Sequence, residues 1–106
     1  MTDSEFLTLA EVALRDIERA LEATGIDVEM ERSGNVLTIE LAAGGKIVIN
    51  LQEPMRQIWV AAKSGASHYA YRDGAWRDTR DGRELFAALS TIVSAQAGTP
   101  VVLRSR

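Results

Sequence analysis

The chain has 106 residues, enough for one hydrophobic core and too few for two. Its 46% hydrophobic and 25% charged residues are those of a folded globular domain, and no apolar run reaches the length of a membrane span. The net charge is −3 and there is no Cys, which excludes a disulfide framework, a zinc finger, a thiol nucleophile and a thiolate-held cluster; any metal has to meet oxygen or the single His68.

Thr2 stands three residues before Glu5, the spacing of a capping box. Phe6, Leu9, Ala10, Ala13, Ile17, Ala20 and Leu21 then recur at helical period, predicting a helix over about residues 4–23 that Gly25 ends. "IDVEMER" alternates, with Ile26, Val28 and Met30 on one side and Asp27, Glu29 and Glu31 on the other, as in a half-buried strand. The turns "SGN" and "AGG" separate "VLTIEL" from "KIVIN", and Pro54 closes the latter strand. "RQIWVAA", the turn "KSGA" and "SHYAYR" follow, and Asp73-Gly74 is a type I′ hairpin signal leading into "AWRD". Asp81 with Glu84 opens a second helix, near 82–97, whose apolar side is Leu85, Phe86, Leu89, Ile92 and Val93.

Helix, about six short strands, helix is the pattern of an α+β fold, a two-layer sandwich with both helices on one face of an antiparallel sheet and the other face open. The chain reads as a single domain over 1–106. The expected core is Phe6, Ile17, Leu21, Val28, Ile39, Ile47, Ile58, Val60, Leu85, Phe86 and Leu89. Alternation puts Trp59 with Gln57 on the uncovered face, where Arg56 and His68 also fall near, and Trp is enriched at the centre of binding interfaces. The bland alternative is that Trp59 only packs over its neighbours. Trp76, beside an Asp-Gly turn and facing with Tyr69 or Tyr71, reads as core.

Charge is divided along the chain: residues 1–31 hold nine acids against Arg15 and Arg19, while the remainder holds six acids against ten bases. At about 100° per residue, Glu11, Glu18 and Glu22 share a sector of roughly 40° away from the apolar side of the first helix. With Asp27, Glu29 and Glu31 they make six carboxylates for one edge of the sandwich. Oxygen donors alone suit Mg²⁺, Ca²⁺, Mn²⁺ or Fe³⁺ better than copper or zinc, with Fe²⁺ accepted but not selected. The competing reading is a solvated helix face plus charges that guard a sheet edge, partly neutralised by Arg15 and Arg19. The bases are scattered without stacking aromatics, so nucleic acid is not expected as a partner, nor is a membrane. His68 has no Ser or Cys partner for nucleophilic chemistry, and "AAGGK" lacks P-loop spacing. The acidic N-terminus is unlike an export signal or transit peptide, which gives a cytoplasmic expectation.

"MTDSEF", "GNVLTIEL", "KIVINLQEPMRQIWVAAKSG", "HYAY" and "AQAGTPVVLR" together resemble the frataxin family in its bacterial, CyaY type, over nearly the whole chain. The most specific piece is Asn50 to Trp59, with Asn, Gln, Pro and Gln-Ile-Trp at the family's spacing. The resemblance implies an α-β sandwich, weak iron binding (Fe²⁺ or Fe³⁺) on an acidic ridge of the first helix and first strand, and a role in iron-sulfur cluster assembly with a cysteine desulfurase and a scaffold protein as partners. Metal residues would be Glu11, Glu18, Glu22, Asp27, Glu29 and Glu31; partner-binding residues Asn50, Arg56, Gln57, Trp59 and His68. The expected state is a monomer open to iron-dependent oligomers. The chain departs from the pattern in two respects: Leu51 stands where relatives often carry a base, and Arg19 and Ala23 interrupt the run of acids. The leading expectation is a non-catalytic adaptor or regulator. The alternatives are a ferroxidase or iron-storage protein, whose catalysis is the weaker reading because the chain has no Glu-x-x-His set, and a metal-independent sheet-surface binding module.

Overall fold

A computed structural model describes residues 1–105. The first helix, α1, spans Asp3–Thr24, and its start is the expected capping box: Glu5 N donates to Thr2 Oγ1 at 3.1 Å and Thr2 N to Glu5 Oε1 at 2.8 Å. Two of the orphan amides at the helix start are satisfied in this way. Gly25 ends α1 at φ 75°, a left-handed conformation that glycine adopts without a Cβ clash.

Six strands follow, β1 (Val28–Ser33), β2 (Val36–Leu41), β3 (Lys46–Gln52), β4 (Gln57–Ala62), β5 (Gly65–Arg72) and β6 (Ala75–Asp78). They pair in sequence order as one antiparallel sheet. The β5–β6 connection turns through Asp73 and Gly74, both at positive φ, as a type I′ turn requires. The second helix, α2, spans Leu85–Ala97.

One face of the sheet is apolar at every second residue: Leu37, Ile39 and Leu41 on β2, Ile47, Ile49 and Leu51 on β3, Ile58 and Val60 on β4, Tyr69 on β5 and Trp76 on β6. These pack in a single cluster with Phe6, Leu14, Ile17 and Leu21 of α1 and Leu85, Phe86, Leu89 and Val93 of α2. Both helices therefore cover the same face, the expected two-layer arrangement, and the opposite face is left open.

Three expectations need correction. Val28 is only half-buried. It lies on the edge strand β1, which has one neighbour instead of two, so its side chain meets the rim of the core. The first strand begins at Val28, which leaves Ile26 and Asp27 ahead of it. The second helix begins at Leu85 rather than near 82, because its N-cap is Glu84, whose carboxylate accepts from the amides of Phe86 at 2.8 Å and Ala87 at 3.0 Å. Asp81 instead closes a small turn by accepting from Arg83 N at 2.9 Å.

After α2 the chain runs back as a strap that buries Val101 and Leu103. Two hydroxyls one helical turn apart hold it. Ser94 Oγ accepts from Val101 N at 2.8 Å and lies 3.0 Å from Val101 O, while Ser90 Oγ accepts from Leu103 N at 2.8 Å and donates to Phe86 O at 2.7 Å. The side chains thus do for this segment what a neighbouring strand would otherwise do.

Candidate interaction face and acidic ridge

Side chains of the open face stand in rows set by strand register. Asn50 on β3 pairs with Trp59 on β4, and Trp59 pairs with His68 on β5, so the three lie side by side across the middle of the sheet. The Trp59 and His68 rings stack with centroids 4.2 Å apart and planes inclined by 11°. Trp59 Nε1 donates to Gln57 Oε1 at 2.8 Å, two residues away on the same face. Trp59 is consequently half-buried: a neighbour covers one face of the indole and its polar atom is paired. The structure brings together Asn50, Gln57, Trp59 and His68.

It does not bring Arg56 to them. Arg56 sits in the β3–β4 turn at φ 52°, and its guanidinium reaches Asp3 at the start of α1 at 3.1 Å. The residue is turned toward the helix layer, away from Trp59. Alternation cannot reveal this, because a left-handed residue breaks the period of two.

The six ridge carboxylates divide between two surfaces. Glu11, Glu18 and Glu22 are on α1. Glu29 and Glu31 are on the open face of β1, and exposed Asp27 precedes that strand. An interrupting base is Arg32, whose Nη2 donates to Glu11 Oε1 and ties α1 to the sheet edge. This hydrogen bond, more than the charges of Arg32 and Arg15, holds the Glu11 carboxyl below its ordinary range against an opposing effect of partial burial. The Arg32 guanidinium is correspondingly raised by Glu11, with Glu18 adding to the field. Arg19 pairs with Asp16 at 3.4 Å instead of with the stripe.

One acid missing from the sequence reading is Glu40, which stands directly opposite Glu29 in the β1–β2 register and beside Lys46 on β3. The alternation of "VLTIEL" contained the signal, since it sets Glu40 on the polar side with Thr38. Like charges in register repel, and a cation or a basic partner relieves them. Among the described residues, no group of three or more His, Asp or Glu side chains is gathered closely enough to hold a metal ion. The carboxylates are hard, exposed donors suited to a hydrated cation held by one or two contacts, not to a cage of fixed geometry.

A family profile described as a frataxin-like domain matches residues 1–99. The chain is 59% identical over 101 residues to the iron-sulfur cluster assembly protein CyaY of Paraburkholderia xenovorans, covering 95% of this chain and 96% of that one. It is 48% identical over 104 residues to the CyaY of Burkholderia mallei, with the same coverages. Among solved structures, frataxin from Psychromonas ingrahamii superposes with a TM-score of 0.89 at 37% identity, covering 96% of this chain and 97% of that one. Trimeric frataxin from the yeast Saccharomyces cerevisiae, in a ferrous complex, superposes at 0.69 with 32% identity over 90% and 87% of the two chains. Profile, near full-length identity and shared architecture agree, and the chain belongs to the frataxin-like family.

Proposed function

We propose that this protein is a non-catalytic adaptor or regulator of iron-sulfur cluster assembly, acting in the cytoplasm, that docks through its open sheet face and holds iron loosely on its acidic ridge. The observation that carries this reading is the Asn50–Trp59–His68 row with Gln57 on an uncovered sheet face, in a chain 59% identical to a protein named for iron-sulfur cluster assembly. A flat, ordered aromatic flanked by polar donors is the composition of an interface centre.

The two surfaces divide the work. The open face suits the scaffold protein, where Trp59 offers a stacking surface and Asn50 offers an amide. The ridge suits a basic patch on the cysteine desulfurase, and the same carboxylates suit Fe²⁺ or Fe³⁺ as cargo, other divalent cations being accepted. One set of carboxylates serving both purposes implies that iron and desulfurase compete. The ferrous complex of the yeast relative supports iron as the metal, and the trimers of that relative support assembly beyond a monomer. Among the described residues no helix is long and apolar enough to cross a membrane.

The test is an anaerobic Fe²⁺ titration of the ¹⁵N-labelled protein, repeated with desulfurase present. Shifts and broadening are expected at Glu18, Glu22, Asp27, Glu29 and Glu31, weakened in Glu18→Gln with Glu22→Gln and reduced by desulfurase. Perturbation of His68 and the open face alone would move the metal site and overturn the ridge assignment.

A further inference from the structure

On the open face beside Trp59, strand register surrounds one methyl-bearing residue with larger side chains that carry hydrogen-bond donors, and the difference in side-chain size makes a shallow dish. Its floor is Ala70 on β5. In register, Ala70 faces Gln57 on β4 and Arg77 on β6, while His68 and Arg72 stand two residues to either side of it on the same face. Gln57 Oε1 already accepts from Trp59 Nε1, which makes the amide nitrogen the group it can still present. Arg77 is half-buried, and its Nη1 donates at 3.3 Å to Gly82 O in the segment along the outer edge of β6, which draws its guanidinium away from Ala70. Arg72 is exposed.

The acids of this face do not answer these bases. Glu29, Glu31 and Glu40 are on β1 and β2, at least three strand spacings from β5, about 14 Å, which is beyond the screening length at physiological salt. The neighbouring acids are Asp73 in the hairpin turn and Glu84, the register neighbour of Arg77, whose carboxylate is engaged in capping α2; Asp78 is buried on the opposite face. A donor set of the Gln57 amide, the His68 imidazole and the Arg72 guanidinium matches the oxygen pair of a carboxylate. Because the dish is open, a free carboxylate would remain hydrated there. A side chain delivered by a protein already seated on Trp59 would be desolvated as it arrived.

We infer that the Ala70 dish, rimmed by Gln57, His68 and Arg72, recognises an Asp or Glu side chain of the protein partner docked on the open face. The inference rests on that face being a docking surface and adds its polarity: the partner brings an acidic group over β5–β6 and basic or neutral groups over β1–β2.

The experiment measures scaffold-protein affinity at two salt concentrations for the wild-type chain, Trp59→Ala, Arg72→Gln and Ala70→Asp, with an amide spectrum of each to establish folding. Arg72→Gln is expected to weaken binding by about fivefold at low salt and to flatten the salt dependence. Ala70→Asp, which supplies the dish with its own carboxylate, is expected to weaken it at least as much. If Trp59→Ala weakens binding while Arg72→Gln leaves both affinity and salt slope unchanged, the dish is refuted and the docking face stands. If none of the three changes affinity, the docking face itself is refuted. Should Ala70→Asp fail to fold, Arg72→Gln decides, since that side chain is exposed.

Discussion

The two tryptophans allow a sharp separation of stability from recognition. Trp76→Ala empties a buried site whose indole meets the Phe6 ring edge-on at 5.8 Å and the Tyr71 ring at 5.2 Å. Removing a buried aromatic costs about 3–5 kcal/mol, and the two ring contacts, each about 0.5–1.5 kcal/mol, place Trp76 toward the upper end. Set against a whole-domain stability of about 5–15 kcal/mol, that leaves a marginal fold. Trp59→Ala removes one ring stack, one hydrogen bond whose acceptor water can reach, and a half-buried indole, about 1–2 kcal/mol in all. Urea unfolding of both variants, beside scaffold affinity measured on the folded fraction, is the assay. Trp59→Ala is expected to stay folded and lose about 1–3 kcal/mol of binding, with Trp76→Ala the reverse. If Trp59→Ala destabilised the chain as much as Trp76→Ala and its folded fraction bound normally, the reading of Trp59 as a recognition residue would be wrong.

Glu11→Gln should cost about 0.5 kcal/mol at neutral pH once solvent screening of this partly exposed pair is allowed for. Since the folded-state pKa is lowered from 4.5, the contribution is present above that value and disappears as pH falls through the lowered one, so wild type and variant should converge in acid melts. Ser94→Ala leaves the Val101 backbone groups without their side-chain partner and should cost about 1–3 kcal/mol in urea unfolding, whereas exposed Thr91→Ala should change stability by less than about 0.5 kcal/mol. Gln96 buries both amide heteroatoms without a protein hydrogen-bond partner, so Gln96→Met, of similar length, should raise the unfolding midpoint by an amount equivalent to about 1 kcal/mol.

Periodicity was sufficient for the layers. The strands alternate because one face is buried and the other wet, so Ile58 and Val60 could be placed against Trp59 and Gln57 from residue types alone. The same rule located Asn50, Trp59 and His68 on one face, although only register made them neighbours. What the sequence concealed depends on contacts between distant segments or on local departures from period. Arg32 shares the core side of its strand with Val28 and Met30, and only the placement of α1 shows that it reaches Glu11. Arg56 leaves the open face through a left-handed turn. The cap of α2 went to Glu84 because the turn around Asp81 and Gly82 uses up the residues before it, and two acids three apart gave no means of choosing between them.

The sheet order has a kinetic consequence. Every strand pairs with its predecessor in the chain, so each ladder can close over a short turn at small entropic cost, and the meander can zip outward from any hairpin. The expensive event is of another kind. Phe6 meets Trp76 across most of the chain, so α1 has to be docked onto a sheet whose last strand is synthesised long after the helix. During synthesis the apolar side of α1 can meet β2, β3 and β4 as they emerge, but its cover is complete only once β6 has been made.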